Sequence, residues 1–256
     1  MRPEVLTLYR FYASRLGQTV APIVAGRVQN LLQPCRGGIT IGLGFPLPYL
    51  DHLAASEADE TCRYLAFMPA QQGVCHWPEP HGSRTALVEE YHLPLPDSSI
   101  DRAVIAHSLE HANRPEHLLR EMWRVLAPGG QVVLIVPNRR RSWSALDTTP
   151  FGHGRPYSRG QLYDLMSEQL LPPEGWDTAL MLPPFGWPGG SRLVRYGERV
   201  VHALGRNLGG VLIVSARKQV YGALPKTSKL IRAMPVLTGP GAGAHRSPDE
   251  PGRSPR

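Results

Sequence analysis

Three stretches of the chain carry residues suited to chemistry. In "ITIGLGFPLPYL", Ile39 to Leu50, an apolar run leads into Gly42 and Gly44 and then into a segment containing Pro46 and Pro48. A buried strand, a glycine turn and a helix start in that order bring backbone amides to one point, the usual place for a nucleotide cofactor. Proline at position 46, where such a turn normally has a third glycine, fixes φ and carries no N–H. In "HSLEH", His107, Glu110 and His111 lie close together after an apolar run, and an imidazole exchanges its proton near neutral pH. After "QVVLIVPN" come Arg139, Arg140 and Arg141 beside Trp143, followed by "TPFGHGRPYS" with His153, Arg155 and Tyr157. Arginines beside an indole suit a phosphate or carboxylate with a stacked base or ring; a solvated basic loop is the plainer reading.

Cys75 and His76 are adjacent, which is not a recognised metal spacing, and no site for a metal is expected. Cys35, Cys62 and Cys75 are an odd number with no Cys-x-x-Cys pattern. Neither a disulfide framework nor a zinc site is expected from them, and a reducing cytoplasm fits best.

The elements that must position these residues can be read from periodicity. Val5, Leu8, Tyr9, Tyr12 and Leu16 recur at helical steps, Gly17 reads as a break, and Val20 to Leu32 reads as a second helix. "GGITIGLG", "CRYLAFMP", "TALVEEYHLPLPDSSI", "DRAVIA", "QVVLIVPN" and "GVLIVSARK" carry strands, several with no polar alternation. "PYLDHLAA" and "NRPEHLLREMWRVLAPGG" read as helices, the latter with Asn113 able to cap it, Pro115 in the first turn and a stop at Pro128-Gly129-Gly130. Further helices are expected at Ser158 to Gln169 and around Arg192 to Leu204, and a strand near Asp177 to Leu182. Continuous apolar strands separated by helices predict an α/β fold with an open, mostly parallel sheet, whose ligands sit beyond the carboxyl ends of the strands.

Composition sets the limits. The net charge of +7 over 256 residues favours anionic partners. No apolar run approaches the roughly 20 residues that span a bilayer, so no integral membrane segment is expected, nor a secretory signal. The organisation expected is an N-terminal helical extension (1–38), one α/β domain (39–221) and a basic, Pro- and Gly-rich disordered tail (222–256).

Leu93 to Asn138 resembles the second half of a class I S-adenosylmethionine-dependent methyltransferase, and more narrowly the type-11 methyltransferase-like family. The similar pieces are the Leu-Pro-x-Pro-Asp turn, Asp101 opening a strand, Leu109-Glu110-His111 after it, Arg-Val-Leu-x-Pro-Gly-Gly and the strand that follows. The resemblance covers about Ile39 to Lys218 and implies a Rossmann-like fold, S-adenosylmethionine as cofactor and methyl transfer. It implies three cofactor-binding places: the Gly42–Gly44 turn, a ribose-holding carboxylate at the end of the second strand, where Met68 stands instead, and an acidic residue after the third strand, where Glu89 and Glu90 stand. Gln71 or Gln72 could serve the ribose in place of Met68.

In this frame His107 would face the reactive methyl as cofactor contact and general base; a histidine that merely hydrogen-bonds the cofactor or a loop backbone is the plainer reading. Arg139, Arg140, His153 and Tyr157 are the acceptor-binding candidates, and the acceptor is a small molecule or RNA. The alternative from another class is a catalytically silent methyltransferase-fold protein acting as a partner or regulator, with its N-terminal helices docked on another protein or a membrane surface. A Phe45 or Pro46 side chain filling the pocket would favour that alternative, and an open pocket with Glu89 retained would favour the enzyme.

Overall fold

The computed structural model describes residues 2–57, 59–78, 82–139, 142–145, 148–182 and 209–219. Two helices, α1 (Val5–Ala13) and α2 (Arg15–Leu31), come first. They are followed by β1 (Ile39–Gly44), α3 (Leu47–Ser56), β2 (Arg63–Pro69), β3 (Thr85–Val88) and β4 (Ile100–Ala106). The remainder is α4 (Pro115–Val125), β5 (Leu126–Pro137), α5 (Arg159–Glu168), β6 (Pro173–Ala179) and β7 (Val211–Arg217). The expected 192–204 helix, the tail and Arg140 lie outside the described residues.

The strands form one sheet in the order β3-β2-β1-β4-β5-β7-β6. β1 to β5 run parallel, while β7 pairs antiparallel with both β5 and β6. Both faces are covered, so the central strands carry apolar residues at successive positions. Val104, Ala106, Val133 and Ile135 face the core shared with α1, α2 and α3. Ala103, Ile105, Val132 and Leu134 face the core shared with α4 and α5. The chain runs from β1 outward to β3 and then crosses back to β4, so strand order reverses between β1 and β4. The crevice at their carboxyl ends is where such sheets bind ligands.

Several local expectations need correction. The break between the first helices falls at Ser14, whose hydroxyl accepts the Gly17 N–H at 3.1 Å and caps α2. Gly17 lies inside α2, where a Cβ would approach the Phe11 carbonyl oxygen to 2.1 Å; glycine lets the two helices meet, and its presence there does not end a helix. Asn113 does not cap α4 with its side chain. The Tyr91 hydroxyl instead accepts the Asn113 and Arg114 amides at 3.1 and 3.2 Å. The strand expected near 177–182 is displaced to Pro173–Ala179. Ser158 does cap α5, in a reciprocal pair with Gln161.

Cys35 and Cys62 form a disulfide, with Cα atoms 6.2 Å apart. The expectation of no disulfide fails because pairing depends on the spatial approach of the segment before β1 to the start of β2, which spacing along the chain does not reveal. Beside it, Arg102 makes a two-pronged pair with Glu57, at 2.5 and 2.8 Å. The same guanidinium donates to Thr40 and to the Gln33 carbonyl, both at 2.9 Å. Among the described residues no helix is long and apolar enough to cross a membrane.

Candidate functional site

β1 leaves the sheet at Gly44, whose φ of +93° is left-handed. A Cβ there would lie 2.1 Å from the Ala106 carbonyl oxygen, and that oxygen accepts the Phe45 N–H at 2.8 Å. The turn is thereby fixed to the end of β4. Gly42 is required for another reason: a Cβ there would lie 2.3 Å from the Pro46 ring. The missing third glycine thus changes both the space and the donors of the turn. Pro46 and Pro48 have no N–H, Phe45 donates to Ala106, and Tyr49 and Leu50 donate to Pro46. Of the backbone positions 45–50, only Leu47 keeps an amide outside these bonds.

The second place lies beside the first. Leu43 pairs with Phe67, which sets Met68 level with Gly44. Met68 is fully buried in the core with α1 and α3, so its thioether offers nothing comparable to a carboxylate. The polar side chain at this turn is Gln72, whose Nε2 donates to the Gly44 carbonyl at 2.9 Å. At the third place, after β3, Glu89 is exposed and Glu90 is buried. A tight turn, His92 N–H to Glu89 carbonyl at 3.0 Å, sends the first outward and the second inward. The Glu90 carboxylate accepts from Arg2 Nη2 at 2.5 Å and from the Ser108 hydroxyl at 3.4 Å.

At the end of β4, His107 is buried with a positive φ of 51°. Its Nε2 shares a hydrogen bond with the Tyr12 hydroxyl at 2.7 Å, and Tyr12 shares another with Tyr49, also at 2.7 Å. His107 Nδ1 lies 3.5 Å from Glu110 Oε1. Burial pushes the Glu110 carboxyl up, but His107 and His111 outweigh it and hold the group below the ordinary glutamate range. Burial pushes the His111 imidazole down to about 4, against the pull of Glu110. Glu110 and His111 belong to a short 3₁₀ turn, Leu109–His111.

The acceptor candidates are less gathered. Tyr157 ties the end of β5 to this turn: its N–H donates to Pro137, its hydroxyl to the Leu109 carbonyl at 3.4 Å, and burial raises its pKa to about 12. His153 is half-buried, and Arg139 and Arg155 are exposed. Trp143 is not available for stacking. It is fully buried, its indole N–H donates to the Leu182 carbonyl at 2.8 Å, and its ring packs on Gly210 and Phe151.

The residues missed in the sequence are Arg2 and Tyr12. Tyr12 was legible as part of a buried helical face, but not its target. α1 lies over the carboxyl ends of the strands. The Tyr12 ring stacks on Phe45, at 5.6 Å between centroids, and Val5 donates its N–H to the Gln72 carbonyl at 2.8 Å. Clefts adjoin both ends of this segment. One, of about 540 Å³, is lined by Arg2, Gln71, Glu110, His111, Asn113 and Arg155. The other, of about 400 Å³, is lined by Tyr9, Tyr12, Phe45, Asp51, His76 and Trp77. A third hollow, near 550 Å³, is bordered by Cys35, Asp101 and Gly130 at the opposite edge of the sheet.

Residues 50–134 match the methyltransferase domain family. A demethylmenaquinone methyltransferase of Chlamydia trachomatis is 29% identical over 119 residues, 46% of this chain and 49% of the relative. The chain spans about half the length of the curated relatives it matches. A S-adenosylmethionine-dependent methyltransferase from Thermotoga maritima superposes with a TM-score of 0.57 at 17% identity, covering 84% of this chain and 96% of that one. Geranyl diphosphate C-methyltransferase from Streptomyces coelicolor, in complex with Mg2+, geranyl diphosphate and S-adenosyl-L-homocysteine, superposes with a TM-score of 0.53 at 14% identity, covering 78% and 81%. The sheet order and these likenesses are those of the class I methyltransferase fold, whose cofactor is S-adenosylmethionine.

In the arrangement seen, the groups that would meet that cofactor are engaged within the protein. The Pro46 ring lies on Gly42, Gln72 holds the Gly44 carbonyl, Arg2 holds Glu90, Tyr12 holds His107, and Met68 supplies no ribose acceptor. The same groups nevertheless leave buried polar atoms without a hydrogen-bond partner: Arg2 Nε and Nη1, Gln72 Oε1, His107 Nδ1, Glu110 Oε2 and His111 Nε2. Interiors retain few such atoms, and their concentration in one crevice fits a site for a polar ligand.

Proposed function

We propose that this chain, which carries a methyltransferase domain of the class I fold, transfers a methyl group from S-adenosylmethionine to an acceptor molecule. The observation that carries this reading is the convergence of Gly44, Gln72, Glu90 and His107 from the ends of four adjacent strands on one crevice at the strand-order reversal. Glu90 is the carboxylate for hydroxyl or amino groups of the cofactor, Gln72 replaces the absent ribose acid, and Gly42 and Gly44 let the backbone approach. Glu89, turned outward, has at most an indirect part. His107, backed by the ionised Glu110, is the group able to hold a proton beside the reacting centre. Arg139, His153, Arg155 and Tyr157 are the acceptor side, which suits a small acceptor bearing an anionic group.

The reading is tested by following release of S-adenosylhomocysteine from S-adenosylmethionine across a panel of small anionic and RNA acceptors. Turnover with one acceptor class, lost in Glu90→Gln and reduced at least tenfold in His107→Ala, is the expected result, about the loss of one charged hydrogen bond or one general base. Turnover unchanged in both variants would remove this crevice as the site.

A further inference from the structure

The family's three cofactor places and the end of β4 share one feature in this chain: each is engaged by residues 2–12 or by a side chain tied to them. Arg2 holds Glu90 at 2.5 Å. Val5 donates to the Gln72 carbonyl at 2.8 Å, and the Gln72 amide in turn covers the Gly44 carbonyl at 2.9 Å. Tyr12 stacks on Phe45 of the glycine turn and bonds His107 Nε2 at 2.7 Å. These contacts are built, not incidental. The Arg2 side chain is only 5% exposed, Tyr12 is 9% exposed, and Val5 and Leu8 belong to the core. A charged guanidinium is rarely buried unless it is paired, and here its partner is the carboxylate that the cofactor would need.

We propose that residues 2–12 are an intrinsic occupant of the cofactor crevice, latched by the Arg2–Glu90 pair, and that S-adenosylmethionine binds by displacing them. The proposal rests on the reading of this crevice as the cofactor site. The occupant and the cofactor compete for Glu90, so every contact that holds the segment lowers the apparent cofactor affinity by the fraction of molecules left open. The segment stays attached when displaced, so it returns when the cofactor leaves, and the protein alternates between a covered and a loaded crevice. One cleft adjoins the segment at Arg2 and the other at Tyr9 and Tyr12, which provides room at either end.

The test compares full-length wild type with Arg2→Ala and Tyr12→Phe by calorimetry with S-adenosylmethionine, after thermal unfolding has shown each variant folded. Arg2→Ala removes the latch and leaves Glu90 free; the expected result is binding about ten- to a hundredfold tighter than wild type, the worth of a charged hydrogen bond. Tyr12→Phe loses the His107 bond and keeps the ring, so a smaller gain, about fivefold, is expected. Hydrogen exchange of residues 2–13 in the wild type should quicken when S-adenosylmethionine saturates it. Equal or weaker binding in both variants, or slower exchange of the segment on binding, would overturn the proposal while leaving the cofactor reading intact: the segment would then fold over the ligand. Absence of binding in wild type and both variants at millimolar ligand would overturn the proposal and the cofactor reading together.

Discussion

Pro46 gives the sharpest single perturbation of the glycine turn. A Cβ added at Gly42 would lie 2.3 Å from Pro46 Cγ and 2.4 Å from its Cβ, with Leu50 at 3.0 Å. The ring cannot swing aside, because its own backbone caps α3. Overpacking against buried groups costs about 1–3 kcal/mol, and two rigid contacts below 2.5 Å put Gly42→Ala at the top of that range, about 3 kcal/mol. Pro46→Gly alone costs about 1 kcal/mol through the freed unfolded chain, but removes both offending atoms. The double variant should therefore cost about 2 kcal/mol in place of the additive value of about 4, a coupling of about 2 kcal/mol in the recovered direction. Urea unfolding of the four proteins, with shared m values, measures this cycle. Additivity to within about 0.5 kcal/mol would refute the idea that the Pro46 ring, and not some general intolerance at Gly42, sets the shape of the turn. The same Pro46→Gly protein regains an amide at the turn, so its affinity for S-adenosylhomocysteine should rise by about tenfold or more.

Two further outcomes follow from the opposite edge of the sheet. Cys35→Ser opens a disulfide spanning 27 residues; loop-closure entropy puts the loss at about 3.5 kcal/mol, read by urea unfolding with and without reductant. Arg102→Met strands the part-buried Glu57 and should cost about 3–5 kcal/mol at neutral pH. Burial pushes the Glu57 carboxyl up, but Arg102 and Tyr64 outweigh it and hold the group below its ordinary value. Its contribution is therefore complete above the unfolded carboxylate pKa and is lost as pH falls through the lower folded value. The gap between wild type and Arg102→Met should narrow in acid, and a gap independent of pH would exclude the pair as its source.

Much of the fold could be read in advance because it rests on local signals. "AVIA" and "VVLIV" are apolar at every position, which only strands covered on both faces require, and Ser158 with Gln161 spells a reciprocal helix cap. The failures share a cause in three-dimensional proximity. A helical stripe at Val5, Leu8 and Tyr12 says that one face is buried without saying that it closes the ligand edge of the sheet. Glu89 and Glu90 are chemically alike, and only the tight turn to His92 decides which points inward. Trp143, beside three arginines in sequence, turns into the core because Gly210 lets its ring approach. At the site the glycine turn, Met68 and the acidic pair were legible; Arg2 was not, since an arginine near a chain end carries no sign of its partner.

The proposed function requires that S-adenosylmethionine bind in the crevice between β1 and β4. Calorimetry of S-adenosylmethionine and S-adenosylhomocysteine against wild type, Arg2→Ala and Glu90→Gln tests this most directly. The prediction is saturable binding to wild type with a Kd between about 10 μM and 1 mM, near −7 to −4 kcal/mol, and at least tenfold tighter binding to Arg2→Ala. Glu90→Gln should bind more weakly than Arg2→Ala, because it loses the acceptor as well as the latch. No heat from any of the three folded proteins up to millimolar ligand would contradict the central claim.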